Sequence, residues 1–257
     1  MDNTHMGNIP NGTRVILLDI IGTTTPHSFV TETLANYAKG NIYDFIKRFR
    51  PLPEIKSNLT DLKRMHTEDI RAGENPPPWD AYDLESDLKC IVEYCIWLID
   101  QDSNAPPLRY IEDFVWEEGY RTGKLMGEVY LDLPDALAKW RSMDIEICTY
   151  SSGSVFSQQL IFSTTKYGDL MPFFRGYFDT SVGVKDKAQS YLRIAAILGV
   201  EPGEILYFSD SLKELKAAGK AGLNVVLMER DNALGKHEED IKSMADFSVF
   251  TRPGIEP

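Results

Sequence analysis

The chain has 257 residues, 43% hydrophobic and 26% charged, which supplies the core of one large globular domain or two small ones. Its 27 basic and 39 acidic residues give a formal net charge of −12, and such a surface argues against general binding of nucleic acid or anionic membranes. No apolar run could span a bilayer, the first twelve residues lack the apolar centre of a secretion signal, and three cysteines are too few for a disulfide framework, so the composition predicts a soluble, acidic, intracellular protein.

Short apolar runs predict the strands of the fold. Strong runs, followed by one weaker run near the C-terminus, lie at residues 15–18, 145–150, 205–208, 225–228 and 247–250. The first, third and fourth are almost continuously apolar, which is typical of strands buried on both faces of a parallel sheet. Segments of helical length accompany the later strands, at residues 134–141, 154–167, 187–198 and 212–221. This alternation predicts a doubly wound, Rossmann-type α/β sheet.

The long segment between the first two predicted strands interrupts this alternation. It shows helical periodicity and no clear strand, as in the apolar helix face formed by Leu84, Leu88, Ile91, Val92, Cys95 and Ile99. Proline-rich breaks at 74–78 and 104–107 separate such helices. Because structureless loops of this length are uncommon, the sequence predicts an α/β core at residues 13–30 and 128–257, interrupted by an all-helical domain at 31–127.

Polar side chains follow three of the predicted strands at the point where each strand ends. Asp19 follows the first strand, and Ser151 and Ser152 follow the second. Asp210 follows the third of these strands, and Lys185 lies between the second and the third. Open parallel sheets bind ligands beyond the carboxyl ends of their strands, so we expect these groups to converge on one site.

These residue types suit phosphoryl transfer. The Asp19 carboxylate could attack phosphorus and form an aspartyl-phosphate, which splits a difficult displacement into two steps. Asp19 and Asp210 could hold a Mg²⁺ ion between them. Ser151 and Thr23 could donate hydrogen bonds to phosphate oxygens, while Lys185 would stabilise the negative charge that develops during transfer.

Each residue also has an ordinary structural explanation when it is taken alone. Asp19 and Asp210 could cap helices. The Ser-Ser-Gly-Ser segment at 151–154 is a typical turn, and Lys185 could be a solvated surface charge. Glu214 could equally contact the residues of the site without touching the ligand, or lie exposed on the surface of a helix. The occurrence of the other four groups, Asp19, the serines, Lys185 and Asp210, at the carboxyl ends of the sheet in one order favours the phosphate site.

The order of these motifs resembles the haloacid-dehalogenase-like (HAD) superfamily of phosphohydrolases. Longer blocks resemble its enolase-phosphatase E1 (acireductone synthase) family, at residues 19–30, 116–120, 150–155 and 176–183. The resemblance covers residues 15–228. It implies a HAD-like core in which the helical domain is a cap that closes over the substrate and excludes water from a reactive intermediate.

The resemblance implies an activity in methionine salvage. Enzymes of this family enolise 2,3-diketo-5-methylthiopentyl-1-phosphate and then remove its phosphate, which gives an acireductone. The implied catalytic residues are Asp19, as nucleophile, and Lys185, which also binds the phosphate. The implied substrate-binding residues further include Ser151, Ser152 and Thr23.

The resemblance also implies one Mg²⁺ ion per subunit. Its ligands would be the carboxylates of Asp19 and Asp210 and the backbone carbonyl of Ile21. The implied partner is the small phosphorylated diketone, with no nucleic acid and no membrane. We expect a cytoplasmic monomer, with the nucleus left open as a second compartment.

Two positions depart from the family pattern. Ile21 stands where the family has glutamate, and across the superfamily an acid at this position protonates the leaving oxygen and later activates water. Residues 163–165 are Ser-Thr-Thr, where the family commonly has a Gly-His-Ser-like sequence. The first departure bears on turnover, and the second on closure over the substrate.

Three functions therefore stay open. The first is a Mg²⁺-dependent enolase-phosphatase. The second is a HAD phosphohydrolase that acts on another small, sugar-like phosphate ester, because cap residues set specificity. The third is a weakly active or inactive paralogue that binds the phosphate ester without turning it over, because Ile21 lacks an acid.

Overall fold

The computed structural model describes residues 9–230 and 241–250. The chain divides into two compact units, an α/β unit built from the segments before Ser28 and after Leu125, and a helical unit at Ser28–Leu125. We call them the core and the cap. None of the described helices is both long enough and apolar enough to cross a membrane.

Four helices form the cap: α1 (Ala35–Phe49), α2 (Pro53–Ala72), α3 (Leu84–Asp100) and α4 (Pro106–Arg121). A short π-helix, Phe29–Leu34, precedes α1. The four helices bury their apolar faces in one cluster, which includes Ile42, Leu62, Ile91 and Leu108. The helical periodicity of this segment therefore reflects a hydrophobic core that the cap builds for itself, except at Leu84, the first residue of the predicted face, which is exposed.

A six-stranded parallel sheet forms the centre of the core. Its strands are β1 (Val15–Leu18), β2 (Glu146–Tyr150), β3 (Gly176–Phe178), β4 (Ile205–Ser209), β5 (Asn224–Met228) and β6 (Ser243–Met244). Their order in the sheet is β3-β2-β1-β4-β5-β6. β1 pairs in parallel with β2 on one side and with β4 on the other, and all four of its residues are buried. The strand order reverses at β1, and α/β sheets bind their ligands at such a point. The predicted doubly wound fold is confirmed.

The core helices are α5 (Leu133–Ser142), α6 (Val155–Ser163), α7 (Ala188–Leu198) and α8 (Leu212–Lys220). All four lie where helices were predicted, but α6 ends four residues earlier than expected. It stops because Thr165 and Gly168 exchange backbone hydrogen bonds of 3.2 and 2.9 Å in a tight turn. Gly168 has a φ of +91°, which favours glycine and ends the helical geometry.

Two parts of the strand prediction differ from the structure. The weak run at 247–250 is not a strand, because Ser248–Phe250 forms a 3₁₀ turn. The Asp246 carboxylate accepts a 2.8 Å hydrogen bond from the N–H of Ser248, which starts this turn. Conversely, β3 and β6 were not predicted, because strands of three and two residues are too short to show a periodic pattern.

Candidate active site

A buried ion pair lies at the carboxyl end of β1. Asp19 follows this strand directly, and Lys185 Nζ donates to Asp19 Oδ1 at 2.6 Å. The two side chains are only 8% and 10% exposed. The N–H of Ile20 donates to the same Asp19 oxygen at 2.7 Å. The structure thus brings the two predicted catalytic residues together, and the alternative of a solvated surface lysine is wrong.

Glu214 is the second carboxylate on Lys185. Its Oε2 lies 2.7 Å from Lys185 Nζ and accepts a 2.8 Å hydrogen bond from the Tyr207 hydroxyl. The Ser209 hydroxyl lies 3.0 Å from both Asp19 Oδ2 and Glu214 Oε2, so its single proton is shared between them. Glu214 therefore contacts residues of the site and is not an exposed helix residue.

The charges of this cluster act on one another. Burial alone would lower the pKa of Lys185, but the charges of Asp19 and Glu214 outweigh burial and raise it above its ordinary value. Burial and the charge of Asp19 raise the pKa of Glu214, although Lys185 opposes them. Lys185 is thus a buried cation in contact with two carboxylates.

Two tyrosines fix the segment that carries Lys185. The Tyr191 hydroxyl donates to the backbone carbonyl of Lys185 at 2.7 Å, and the Tyr150 hydroxyl donates to that of Gly183, also at 2.7 Å. Gly183 has a φ of +138°, and a Cβ there would lie 2.3 Å from Ser190 Oγ. Sequence reasoning did not single out these tyrosines, although Tyr150 directly precedes the predicted Ser151.

Asp210 lies against the loop that follows β1. Gly22 in that loop has a φ of +72°, and a Cβ there would lie 2.2 Å from Asp210 Oδ2. His27 Nε2 lies 2.8 Å from the same oxygen. Ser211, whose side chain accepts from the N–H of Glu214, is the N-cap of α8, so capping does not account for Asp210. The Asp210 carboxylate can therefore occupy this position only because Gly22 has no side chain.

Three buried threonines shape this loop, Thr23, Thr24 and Thr25. The Ile20 carbonyl accepts hydrogen bonds from all three of their backbone N–H groups. The Thr24 hydroxyl bonds inside the loop, at 3.2 Å from the Ile20 oxygen. The hydroxyls of Thr23 and Thr25 have no partner among the residues that the structure describes. Buried hydroxyls without a partner are uncommon, which leaves Thr23 able to donate to an oxygen of a ligand.

The predicted Mg²⁺ ligands are the carboxylates of Asp19 and Asp210 and the backbone carbonyl of Ile21. The Ile21 carbonyl accepts no backbone hydrogen bond within the described ranges, and Asp210 fills the gap left by the adjacent Gly22. No group of three or more His, Cys, Asp or Glu side chains that could hold a metal occurs in the described part of the chain. Two carboxylates and one carbonyl still suit Mg²⁺, which commonly binds one or two carboxylates and completes its shell with water and phosphate.

The serines after β2 differ from each other. Ser151 is buried, and its hydroxyl accepts a 3.2 Å hydrogen bond from the N–H of Gly153, as in the turn that was the alternative explanation. Ser152 is exposed. Both residues follow the strand adjacent to β1, and their role in substrate binding stays a prediction.

Comparison with known proteins identifies the family. Residues 13–222 match the haloacid dehalogenase-like hydrolase family. The chain is 41% identical to enolase-phosphatase E1 of Persephonella marina, over 84% of this chain and 88% of that protein. The chain belongs to the enolase-phosphatase E1 family. It is also 36% identical to the Pseudomonas fluorescens member, over 95% of this chain and 97% of that protein.

Solved structures agree with the HAD-like fold. The UTR4 protein from Saccharomyces cerevisiae has a TM-score of 0.71 and 28% identity, over 92% of this chain and 99% of that one. A HAD phosphatase from Thermococcus onnurineus, with a TM-score of 0.54 and 21% identity over 92% of this chain and 95% of that one, supports the fold alone. The resemblance to the enolase-phosphatase E1 family is confirmed.

Proposed function

We propose that this HAD-like phosphatase is a Mg²⁺-dependent enolase-phosphatase of methionine salvage. Its substrate is 2,3-diketo-5-methylthiopentyl-1-phosphate, and its product is the acireductone. The observation that carries the proposal is the buried cluster of Asp19, Lys185 and Glu214 at the sheet's switch point, in a chain whose relatives are named enolase-phosphatases.

Asp19 is the nucleophile of the proposed reaction. Its carboxylate attacks phosphorus, the bond from phosphorus to the ester oxygen breaks, and an aspartyl-phosphate forms on Asp19. Water then attacks that phosphorus, which releases inorganic phosphate and regenerates the carboxylate. Lys185, in contact with Asp19, offsets the negative charge that the phosphate brings.

The remaining groups bind and orient the phosphate. The Thr23 hydroxyl, which has no partner in the described part of the chain, donates to a phosphate oxygen. Ser151 and Ser152 contact the substrate from the end of β2. Asp19, Asp210 and the Ile21 carbonyl would hold one Mg²⁺ ion, which when bound neutralises phosphate charge. A cytoplasmic monomer with no nucleic-acid partner stays our prediction.

One observation favours a second candidate, a weakly active paralogue. The alkyl side chain of Ile21 can neither protonate a leaving oxygen nor accept a proton from water. The enolate-like leaving group needs less protonation than a simple alkoxide, whereas the water that attacks the aspartyl-phosphate does need a base. The second step would therefore be the slow one.

A turnover assay with the diketo phosphate separates these functions. Enol absorbance and free phosphate are followed together, and a panel of other phosphate esters is run in parallel. Turnover of the diketo phosphate alone supports the proposal, whereas turnover of another ester alone supports a different HAD phosphohydrolase. Binding of the diketo phosphate without phosphate release supports the paralogue.

The nucleophile is tested separately with beryllium fluoride and Mg²⁺, which together mimic an acyl-phosphate. The fluoride should lodge on the Asp19 side chain, and Asp19→Asn should abolish the adduct while the fold stays intact, because the two side chains are nearly isosteric. Asp135→Asn, at an exposed position of α5, is the matched control and should keep the adduct. A fluoride bound elsewhere would reject Asp19 as the nucleophile.

A further inference from the structure

His27 contacts a residue of the candidate metal site across a large sequence distance. Its Nε2 lies 2.8 Å from Asp210 Oδ2, although the two residues are 183 positions apart. A Cβ at Gly22 would lie 2.6 Å from that same nitrogen and 2.2 Å from that same oxygen. The three residues thus form a compact cluster in which glycine leaves the space for the contact.

This contact is not explained by packing or by helix capping. The His27 side chain is 56% exposed, so it fills no hydrophobic core. Ser211 caps α8, so Asp210 is not needed there. What the contact does is hold one oxygen of the Asp210 carboxylate, in the residue directly before the N-cap of α8.

We propose that His27 is the positioning residue for Asp210 as a metal ligand. With the proton on Nε2, the imidazole donates to Oδ2 and fixes the plane of the carboxylate, which leaves Oδ1 for the cation. Carboxylates that bind metals are themselves commonly held by hydrogen bonds, and loss of such a partner typically costs about 10- to 100-fold in metal affinity. The inference rests on the proposed function, because that proposal makes Asp210 a ligand of Mg²⁺.

The test measures metal binding by the full-length protein without substrate. Calorimetry with Mg²⁺ and electron paramagnetic resonance with Mn²⁺ both report the dissociation constant. His27→Leu removes the donor and should weaken binding about 10- to 100-fold. His27→Gln keeps a donor and should restore most of the affinity. Near-parental affinity of the leucine variant, or an equal loss in both variants, would overturn the proposal.

A double-mutant cycle with Asp210→Asn shows whether His27 acts through Asp210. If it does, His27→Leu should add nothing to the loss already caused by Asp210→Asn, because the carboxylate to be positioned is gone. Additive losses would mean that His27 affects the metal by another route. Circular dichroism melting of each variant excludes unfolding as the cause.

Activity gives an independent readout. The leucine variant should need more Mg²⁺ but reach the parental kcat at saturation, and a kcat loss that Mg²⁺ cannot restore would overturn a purely positioning role. If the parent binds Mg²⁺ but fails to turn over the diketo phosphate, the proposed function fails while the binding comparison still decides the role of His27.

Discussion

Replacing Glu112 with glutamine should remove a pH-dependent destabilisation of the cap. Glu112 lies on α4 with its side chain 3% exposed, and its Oε2 is 3.1 Å from a nitrogen of Arg109. Burial raises the pKa of Glu112 from its ordinary value of 4.5 to about 7, and the Arg109 charge offsets this only in part. The folded cap therefore binds this proton more tightly than the unfolded chain does.

The sign and the size of the effect follow from that difference in pKa. Because the folded state holds the proton longer, the parent loses stability as pH rises from about 4.5 to about 7. Each pKa unit corresponds to about 1.36 kcal/mol. The rise from 4.5 to about 7 therefore costs about 3 kcal/mol of unfolding free energy once Glu112 is ionised in the folded state. Glutamine resembles the protonated acid and carries no such loss. Its advantage should be about 1 kcal/mol at pH 5 and about 3 kcal/mol at pH 8.

Urea unfolding followed by tryptophan fluorescence measures this difference. Three of the four tryptophans, Trp79, Trp97 and Trp116, lie in the cap, so the signal reports on that unit. Glu93→Gln, at an exposed position of α3, is the control and should change stability equally at both pH values. An advantage of Glu112→Gln that does not grow with pH would refute the reasoning.

Three further predictions concern the core. Lys185→Ala leaves two carboxylates without their cation and should weaken binding of an unreactive substrate analogue by about 2–4 kcal/mol in calorimetry, whereas parental binding would show the lysine to be dispensable. The parent should show a burst of product and then a slow steady rate in stopped-flow assays. Ile21→Glu should raise that steady rate at least about 10²-fold. Equal steady rates of parent and variant would mean that another residue supplies the acid. Gly22→Ala would place its Cβ 2.2 Å from an oxygen of Asp210 and should lower Mg²⁺ affinity in calorimetry, and unchanged affinity would contradict the proposed place of that carboxylate.

The carboxylates Asp19 and Asp210 could be predicted as site residues because they stand at strand ends. The runs that predict β1, β2 and β4 fix where each strand stops, and a parallel sheet brings those ends to one edge. Asp19 lies at that edge, and Lys185, from the segment between β3 and α7, contacts it at 2.6 Å. Their chemistry then follows from residue type, since a carboxylate and an ammonium in contact suit a phosphate site.

Other contacts could not be predicted, because they depend on side-chain packing between distant segments. The position of Glu214 on α8 does not reveal which neighbour its side chain faces, and the structure places it 2.7 Å from Lys185. His27 and Tyr191 belong to no periodic pattern that relates them to their partners. Only the fold brings each of them to a specific atom of the site.

The central position of β1 has a consequence for how the chain folds. Its partners β2 and β4 begin about 130 and 190 residues further along, so neither ladder can form until those segments exist. The cap lies between β1 and β2 in sequence and makes its core from residues 28–125 alone. Cap helices can therefore form during synthesis while β1, an entirely apolar strand, still lacks a partner. This interval exposes the nascent chain to aggregation, and a chaperone that shields β1 would shorten it.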